Sequence, residues 1–196
     1  GVDALELNFY SIPRDFAKDA NIIISDQLAI VKEIKRTLSI SVSVKLSPYY
    51  TNILKFISEL DKAGVDGLVL FNRMFQPDID LEKEEHFSPF NLSSENENRI
   101  ALRFSGLLFG RIKAKICANS GIMNGKDVLK AVMAGSDAVQ VVSTLYKHKI
   151  SHISDMIHEM NEWMKAKKYN SLKDFKGKLS EKNTKDPFVY KRAQYI

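Results

Sequence analysis

The chain has 196 residues, of which 44% are hydrophobic and 27% are charged, which is typical of a globular domain with one sizeable core. The formal charge of +5 is concentrated in lysines near the C-terminus that alternate with apolar and acidic residues, so we expect a solvated surface and no nucleic-acid partner. No apolar run reaches the roughly 18 residues of a membrane span, no signal peptide is apparent, and the single Cys117 favours a reducing cytoplasm without an internal disulfide.

Strand-like and helical patterns alternate along the chain. In the first half, apolar runs predict strands over residues 4–8, 40–46 and 67–71, and helical spacing predicts helices over residues 27–38 and 52–63. A polar stretch with two prolines, residues 72–98, predicts a long loop, and loops of this length in compact domains are usually functional or disordered. The second half predicts helices over residues 100–109, 126–133 and 153–167, with strands over 114–118 and 138–142 between them.

The alternation of five strands with helices predicts an α/β fold with parallel strands. The strand over residues 40–46 is rich in β-branched residues, so we expect it to be buried on both faces. A closed (β/α)₈ barrel needs eight strands and about 250 residues. Five strands therefore indicate either an open sheet or an incomplete barrel of the TIM type, and the pattern alone does not separate these two folds.

Polar residues follow every predicted strand, where a parallel α/β protein places its ligand site. The most informative is Lys45, because an ammonium group among apolar neighbours is costly unless an anionic or electron-rich ligand meets it. The alternative is that Lys45 extends its ammonium to solvent. Asn8 and Asn72 could each hold a planar heterocycle through their amide groups, or could instead cap turns.

Two turns rich in small residues predict an anion site. Ser120-Gly121 follows the fourth strand and Val142-Ser143 follows the fifth, and exposed backbone amides near a helix start bind phosphate groups. The four histidines lack the spacing of a metal site, and Cys117 lies within an apolar strand, where it is expected to pack. A helical stripe of Met156, Met160, Trp163 and Met164 is expected to pack against the outside of the sheet.

Several motifs occur in an order that resembles one enzyme family, the dihydroorotate dehydrogenases of the soluble class. They are Glu6-Leu7-Asn8 with Ser11, Val44-Lys45-Leu46-Ser47-Pro48, Ser120-Gly121-Ile122 with Gly125 and Asp127, Val139-Gln140-Val141-Val142-Ser143-Thr144, and Tyr169-Asn170-Ser171-Leu172. The resemblance implies that residues 1–180 are the C-terminal portion of a flavin-binding (β/α)₈ barrel and that residues 181–196 form a tail. It also implies an FMN cofactor and a small dihydropyrimidine-like substrate.

The resemblance assigns roles to individual residues. Lys45 and Asn8 would contact the flavin, and Asn72 would bind the substrate. Ser120, Gly121, Val142 and Ser143 would hold the FMN phosphate. Ser11 falls where the family places its catalytic base, although the family's Cys/Ser-Pro-Asn sequence is replaced here by Ser11-Ile12-Pro13.

Two other functions stay open from the residues alone. A non-redox isomerase or aldolase could bind a phosphorylated small molecule in the same turns, and the chain could be a non-catalytic fragment. The first barrel strands of the family have no counterpart here, so we expect the chain by itself to bind FMN weakly or not at all. We also expect a homo-oligomer, because the outer edge of the strand at residues 4–8 and an apolar patch beside residues 40–46 would be uncovered.

Overall fold

The computed structural model describes residues 1–12 and 14–193, so Pro13 and Gln194, Tyr195 and Ile196 of the expected tail lie outside the described residues. The strands are β1 (Ala4–Asn8), β2 (Ser41–Leu46), β3 (Gly67–Leu70), β4 (Asp78–Asp80), β5 (Glu85–Phe87), β6 (Lys115–Asn119) and β7 (Ala138–Gln140). The helices are α1 (Ala20–Thr37), α2 (Ile53–Lys62), α3 (Arg99–Leu108), α4 (Gly125–Ala134), α5 (Ser143–His148), α6 (His152–Ala166) and α7 (Phe188–Lys191), with a 3₁₀ turn at Leu172–Asp174.

The main sheet confirms the predicted parallel α/β class. Its five strands follow the order β1-β2-β3-β6-β7, and every neighbouring pair is parallel. In a flat sheet, four steps of about 4.8 Å would separate β1 from β7 by about 19 Å. Yet the side chain of Gln140 in β7 donates a hydrogen bond of 2.8 Å to the carboxylate of Glu6 in β1. The sheet is therefore strongly curled, as in an incomplete TIM-type barrel, and it does not close among the described residues.

Strand β2 shows how the sheet divides its two faces. Val42, Val44 and Leu46 are fully buried, whereas Ser43 and Lys45, which alternate with them, are only partly buried. The expectation that this strand is buried on both faces is wrong, because side chains along a strand point alternately to opposite faces. The apolar set packs in the main hydrophobic core with residues of α2, while Lys45 lies on the concave face.

The helices cover the convex face, and α1, α2 and α4 begin at side-chain caps. The Asp19 side chain accepts a hydrogen bond from the Asn21 amide and starts α1 at residue 20, seven residues before the predicted start. Asn52 caps α2 in the same way, and α2 buries Phe56, Ile57 and Leu60. The start of α1 was missed because Ile22, Ile23 and Ile24 are consecutive in the sequence and so hide the helical spacing, although Ile24 packs on the main core together with Leu28.

The long loop after β3 contains a small antiparallel hairpin, β4 with β5. The predicted loop is therefore partly structured. Each strand has three residues, which is too short for a periodic signal in the sequence. The helix α5 was also missed, since its six residues are too few to show a helical period in the sequence.

The segment after α6 packs on α3 and α4. The amides of Gly177 and Leu179 donate to the carbonyls of Val132 and Met133, and the amide of Glu181 donates to Gly106. Phe175 is buried against Leu129 and Val132, with Met160, Trp163 and Met164 beside it, and Met156 is buried against Ile122 and Val128, which confirms the predicted packing stripe. Among the described residues, no helix is both long and apolar enough to cross a membrane.

Candidate functional site

Three charged or polar side chains meet on the concave face of the sheet. Lys45 Nζ donates to Gln140 Oε1 at 2.9 Å, and Gln140 Nε2 donates to Glu6 Oε2 at 2.8 Å. All three side chains are partly buried. Lys45 is thus held by a partner inside the curled sheet, and it does not simply extend into solvent.

The Ser120-Gly121 turn adopts two successive left-handed residues at the end of β6. The φ angles are 71° at Ser120 and 65° at Gly121, a backbone conformation that residues other than glycine adopt only at a cost in free energy. A Cβ atom on Gly121 would lie 2.5 Å from the Asn98 amide nitrogen, and Asn98 Nδ2 donates to the Gly121 carbonyl at 3.1 Å. The turn therefore needs glycine at 121, both for its backbone and for its contact with the start of α3.

Ser93 connects the two turns that were predicted to bind an anion. Its hydroxyl accepts from the Gly121 amide at 3.2 Å and donates to Ser143 Oγ at 2.8 Å, and its amide also donates to Ser143 Oγ at 2.8 Å. The turns at 120–121 and 142–143 are thereby brought together, as predicted. The Ser93 hydroxyl accepts from the Gly121 amide as a phosphate oxygen would, but it donates to Ser143 Oγ, where a phosphate oxygen would accept.

A cluster around Arg73 fixes the loop that carries Ser93. The Arg73 guanidinium forms a bidentate pair with Glu97, with distances of 2.8 and 3.2 Å, and it also donates to the carbonyl and the side chain of Asn91. Burial alone would raise the pKa of Glu97, but hydrogen bonds from Arg73 and Ser94 outweigh it and lower that pKa. Lys147 of α5 donates to the Ser93 carbonyl as well, so the loop is attached on two sides.

A cavity of about 140 Å³ lies between Lys45, Ser93 and the two turns, at the carboxyl ends of the strands. Its walls are formed by Lys45, Arg73, Ser93, Asn119, Ser120, Gly121, Ile122, Gln140, Val141, Val142 and Ser143. A second cavity of about 310 Å³ shares Arg73, Asn119 and Ser120 with it and extends to Asn72 and Tyr49. Hydroxyls, backbone amides and a lysine suit an anionic, phosphate-bearing ligand, and the smaller cavity is below the 300–1,000 Å³ typical of a complete cofactor pocket.

The two predicted asparagines have different environments. Asn72 is 5% exposed, and its Nδ2 donates to the carbonyls of Phe9 and Lys45 at 3.3 and 3.1 Å, so it joins the ends of β1 and β2. Among the described residues, its carboxamide oxygen accepts no hydrogen bond, and Asn72 lines the cavity of about 310 Å³. Asn8 is exposed and pairs in register with Lys45, which places both side chains on the same face.

Ser11 lies apart from the other predicted site residues. It is half-buried and lines a cavity of about 660 Å³ between α1 and α2, with Asp19, Tyr50 and Phe56 among its neighbours. This cavity shares no lining residue with the one at Lys45, although Tyr49 lines both it and the cavity at Asn72. The structure thus groups Lys45, the two turns and Asn72, but it does not bring Ser11 to them.

Several site residues escaped the sequence analysis as individual candidates. Gln140 and Glu6 had the same signal as Lys45, a polar side chain within an apolar strand, but nothing local indicated that they meet. Ser93 is one serine among many in a polar loop. No group of three or more potential metal ligands occurs among the described residues. The pKa of the Cys117 thiol is raised to about 11, mainly because the thiol is buried and also because the Glu6 carboxylate lies near it, as expected of a packed thiol.

Comparison with known proteins gives a consistent result. A family model described as dihydroorotate dehydrogenase matches residues 2–164. The relatives named dihydroorotate dehydrogenase B (NAD(+)), catalytic subunit, include a protein of Methanocaldococcus jannaschii, 32% identical over 74% of this chain and 49% of its own length. Those of Caldicellulosiruptor saccharolyticus and Thermoplasma volcanium are each 28% identical, over 77% and 90% of this chain and 51% and 60% of their own lengths. The chain thus spans about half the length of the curated relatives it matches.

Proposed function

Because the chain belongs to the dihydroorotate dehydrogenase family, we propose that the whole protein is an FMN-dependent oxidoreductase that oxidises dihydroorotate or a related dihydropyrimidine in pyrimidine biosynthesis. The observation that supports this best is the grouping of Lys45 with the turns at 120–121 and 142–143 around one cavity. A lysine beside two amide-rich and hydroxyl-rich turns is suited to a cofactor that carries both an electron-rich ring and a phosphate.

The donor set fits the phosphate end of FMN. Ser93 Oγ already occupies a position between the Gly121 amide and Ser143 Oγ, and the amides of Ser120 and Ser143 have no hydrogen-bond partner among the described residues. We propose that Ser120, Gly121, Val142 and Ser143 hold the phosphate. The backbone at Gly121 and Val142 serves through its amides, so the contribution of these two positions does not come from a side chain.

The remaining roles follow from the chemistry of each side chain. When bound, FMN would supply the redox chemistry as the acceptor of a hydride from the substrate. Lys45 and Asn8 contact the cofactor, and the Lys45 ammonium stabilises negative charge next to it. Asn72 binds the substrate through its remaining carboxamide oxygen, and Ser11 is the base that removes a proton from the substrate.

We extend the proposal to the partners and location of the whole protein. The relatives are named as catalytic subunits of an NAD(+)-dependent enzyme, which supports a second subunit that passes electrons to NAD⁺. A small dihydropyrimidine is the substrate, and a cytoplasmic location fits the single, packed Cys117.

A comparison of FMN with riboflavin tests the phosphate site directly, because riboflavin lacks the phosphate. The whole protein should bind FMN at least tenfold more tightly than riboflavin, since hydrogen bonds to a charged group contribute about 1.5–3 kcal/mol. Ser143→Ala should reduce this preference and leave riboflavin binding unchanged. Ser154→Ala in α6 is a matched control that should retain it. Equal affinities for the two flavins in the wild-type protein would refute the phosphate assignment.

A further inference from the structure

The chain of side chains Lys45–Gln140–Glu6 joins the neighbouring strands β1 and β2 to β7, which lies at the opposite edge of the sheet. Glu6 comes from β1, Lys45 from β2 and Gln140 from β7, so the contact exists only because the sheet is curled. Gln140 lies among Ala138, Val139 and Val141, and a carboxamide in such a strand needs partners for both of its ends. Lys45 and Glu6 are those partners.

The order of charges in this chain allows one orientation of the Gln140 carboxamide. A lysine ammonium has only donors, and an ionised carboxylate has only acceptors. The Gln140 oxygen must therefore face Lys45, and its NH₂ group must face Glu6. The opposite orientation would place donors against the ammonium and oxygen against the carboxylate, so Glu6 determines which end of Gln140 meets Lys45.

The neutral amide also keeps the two charges from forming a direct ion pair. Lys45 Nζ has Gln140 as its one hydrogen-bond partner among the described residues, which leaves two of its three N–H donors for a ligand. A carboxylate in direct contact would cancel much of the positive charge. Gln140 instead restrains the ammonium through one hydrogen bond and preserves its charge next to the 120–121 and 142–143 turns.

We propose that Gln140 and Glu6 are positioning residues, which fix the Lys45 ammonium so that it favours the reduced, more negatively charged state of the bound flavin. This inference rests on the proposed FMN cofactor. It assigns to Glu6 of β1 and Gln140 of β7 a role in tuning the site that acts through Lys45.

A double-mutant cycle on the FMN-loaded whole protein tests the proposal. Gln140→Met keeps the size of the side chain but removes the acceptor, and it should weaken binding of reduced FMN about tenfold more than binding of oxidised FMN. For a two-electron couple this corresponds to a midpoint potential about 30 mV more negative. Glu6→Gln, which frees the orientation of Gln140, should shift the potential in the same direction by less.

The cycle separates positioning from general support of the fold. In a Lys45→Met background, Gln140→Met should produce no further shift in potential, because its effect acts through Lys45. Gln27→Met is the matched control, since Gln27 is a buried glutamine that accepts from Tyr50 on the helical side of the sheet, and the potential should not change. An undiminished Gln140→Met shift without Lys45, or no shift at all, would overturn the proposal.

A measurement without flavin keeps this inference distinct from the proposed function. In the cofactor-free protein, the ¹⁵N NMR signal of the Lys45 ammonium, assigned with Lys45→Met, should shift in both Gln140→Met and Glu6→Gln. If the wild-type protein fails to bind FMN, the proposed function fails, while this signal still decides whether Gln140 and Glu6 position Lys45. An ammonium signal that is insensitive to both substitutions would contradict the inference.

Discussion

Lys45 is the residue on which the chemical interpretation depends most. It lies on the concave face, keeps two N–H donors for a ligand and lines the same cavity as the turns at 120–121 and 142–143. We expect Lys45→Ala in the whole protein to weaken FMN binding by about tenfold or more, or to make the bound flavin harder to reduce, because the charge next to the ring is lost. Fluorescence titration and anaerobic reduction measure these two quantities. Lys55→Ala, in an exposed ion pair of α2, should change neither.

Ser11 gives a second test at the scale of single residues. If it is the base, Ser11→Ala should slow substrate oxidation by roughly 10²–10⁴-fold while FMN stays bound. Because Ser11 lines the cavity between α1 and α2, the loss should appear in the rate of flavin reduction and not in the flavin affinity. Ser25→Ala in α1 is a control away from that cavity. Stopped-flow reduction at the wild-type rate would remove Ser11 from the mechanism.

The sequence could indicate single site residues but not their contacts. Lys45 and the turns at 120–121 and 142–143 were predictable, because each is a local exception to an apolar strand or follows one directly. The partners of these groups are separated from them by long stretches of chain, 95 residues between Lys45 and Gln140 and 50 between Ser93 and Ser143. Such contacts depend on the curvature of the sheet and on the path of a loop, and neither is encoded in a local pattern.

At the scale of secondary structure, His152 connects α6 to the segment that follows the 120–121 turn. Its two ring nitrogens lie 3.1 Å from the Met123 carbonyl and 3.2 Å from the Asp155 carboxylate, and both of these groups are acceptors. Only a protonated imidazole donates to both. Two hydrogen bonds raise the pKa of His152 above its ordinary value of 6.5. The bond to the Met123 carbonyl has the larger effect, and the bond to Asp155 has the next largest.

This arrangement predicts a pH dependence with a definite sign. Since the folded-state pKa is raised, the contribution of His152 to stability should be complete below pH 6.5 and should be lost as the pH rises through the folded-state pKa. His152→Gln should remove this part of the pH dependence, whereas His158→Gln, at an exposed position of α6, should keep it. Denaturant unfolding at several pH values measures the effect. An identical pH profile for wild type and His152→Gln would contradict it.

The loop between β3 and α3 gives a second prediction at this scale. Arg73 holds it through two bonds to Glu97 and two to Asn91. Arg73→Lys keeps the charge but loses the bidentate geometry, so hydrogen exchange in residues 74–92 should become about fivefold faster, corresponding to about 1 kcal/mol. Arg36→Lys, in an exposed pair with Glu33, is the control. Unchanged exchange would show that Arg73 does not fix the loop.

The predicted elements were correct where a pattern was long and one-sided. All five strands of the main sheet and the amphipathic helices α2, α3, α4 and α6 begin and end close to their predicted positions. Errors occurred where the signal was short, as in the hairpin and α5, and where consecutive apolar residues hid the helical spacing, as in the first turns of α1. The alternation in β2 was present in the sequence as Ser41-Val42-Ser43-Val44, but its β-branched content was given too much weight.

At the scale of the whole molecule, the concave face is more polar than expected. The apolar residues of β2 are fully buried beneath the helices, so they form no exposed patch, and the concave side presents Glu6, Ser43, Lys45 and Gln140. The expected apolar patch beside residues 40–46 is therefore absent there. What remains of the argument for self-association is the outer edge of β1, which pairs with no strand among the described residues.

We accordingly expect the 196-residue chain alone to self-associate through β1 and to bind FMN weakly or not at all. The Phe9 amide donates to β2, so alternation directs the amide of Ala4 to the outer edge. Ala4→Pro removes that donor and should lower the apparent mass in light scattering, because proline blocks edge pairing. The control is Val2→Pro, because Val2 lies before the strand. Ala20→Pro is unsuitable because Ala20 lies in a helix. A monodisperse wild-type chain that binds FMN tightly would contradict this expectation.

The central claim is that this chain contributes the Lys45 and phosphate-binding side of a dihydroorotate-oxidising flavoenzyme. Anaerobic mixing of the purified whole protein with dihydroorotate, followed by its visible spectrum, tests it most directly. We predict a yellow protein whose FMN absorbance is bleached in proportion to the dihydroorotate added, with orotate as the product. A colourless protein that FMN cannot reconstitute, or a bound flavin that dihydroorotate does not bleach, would contradict the account.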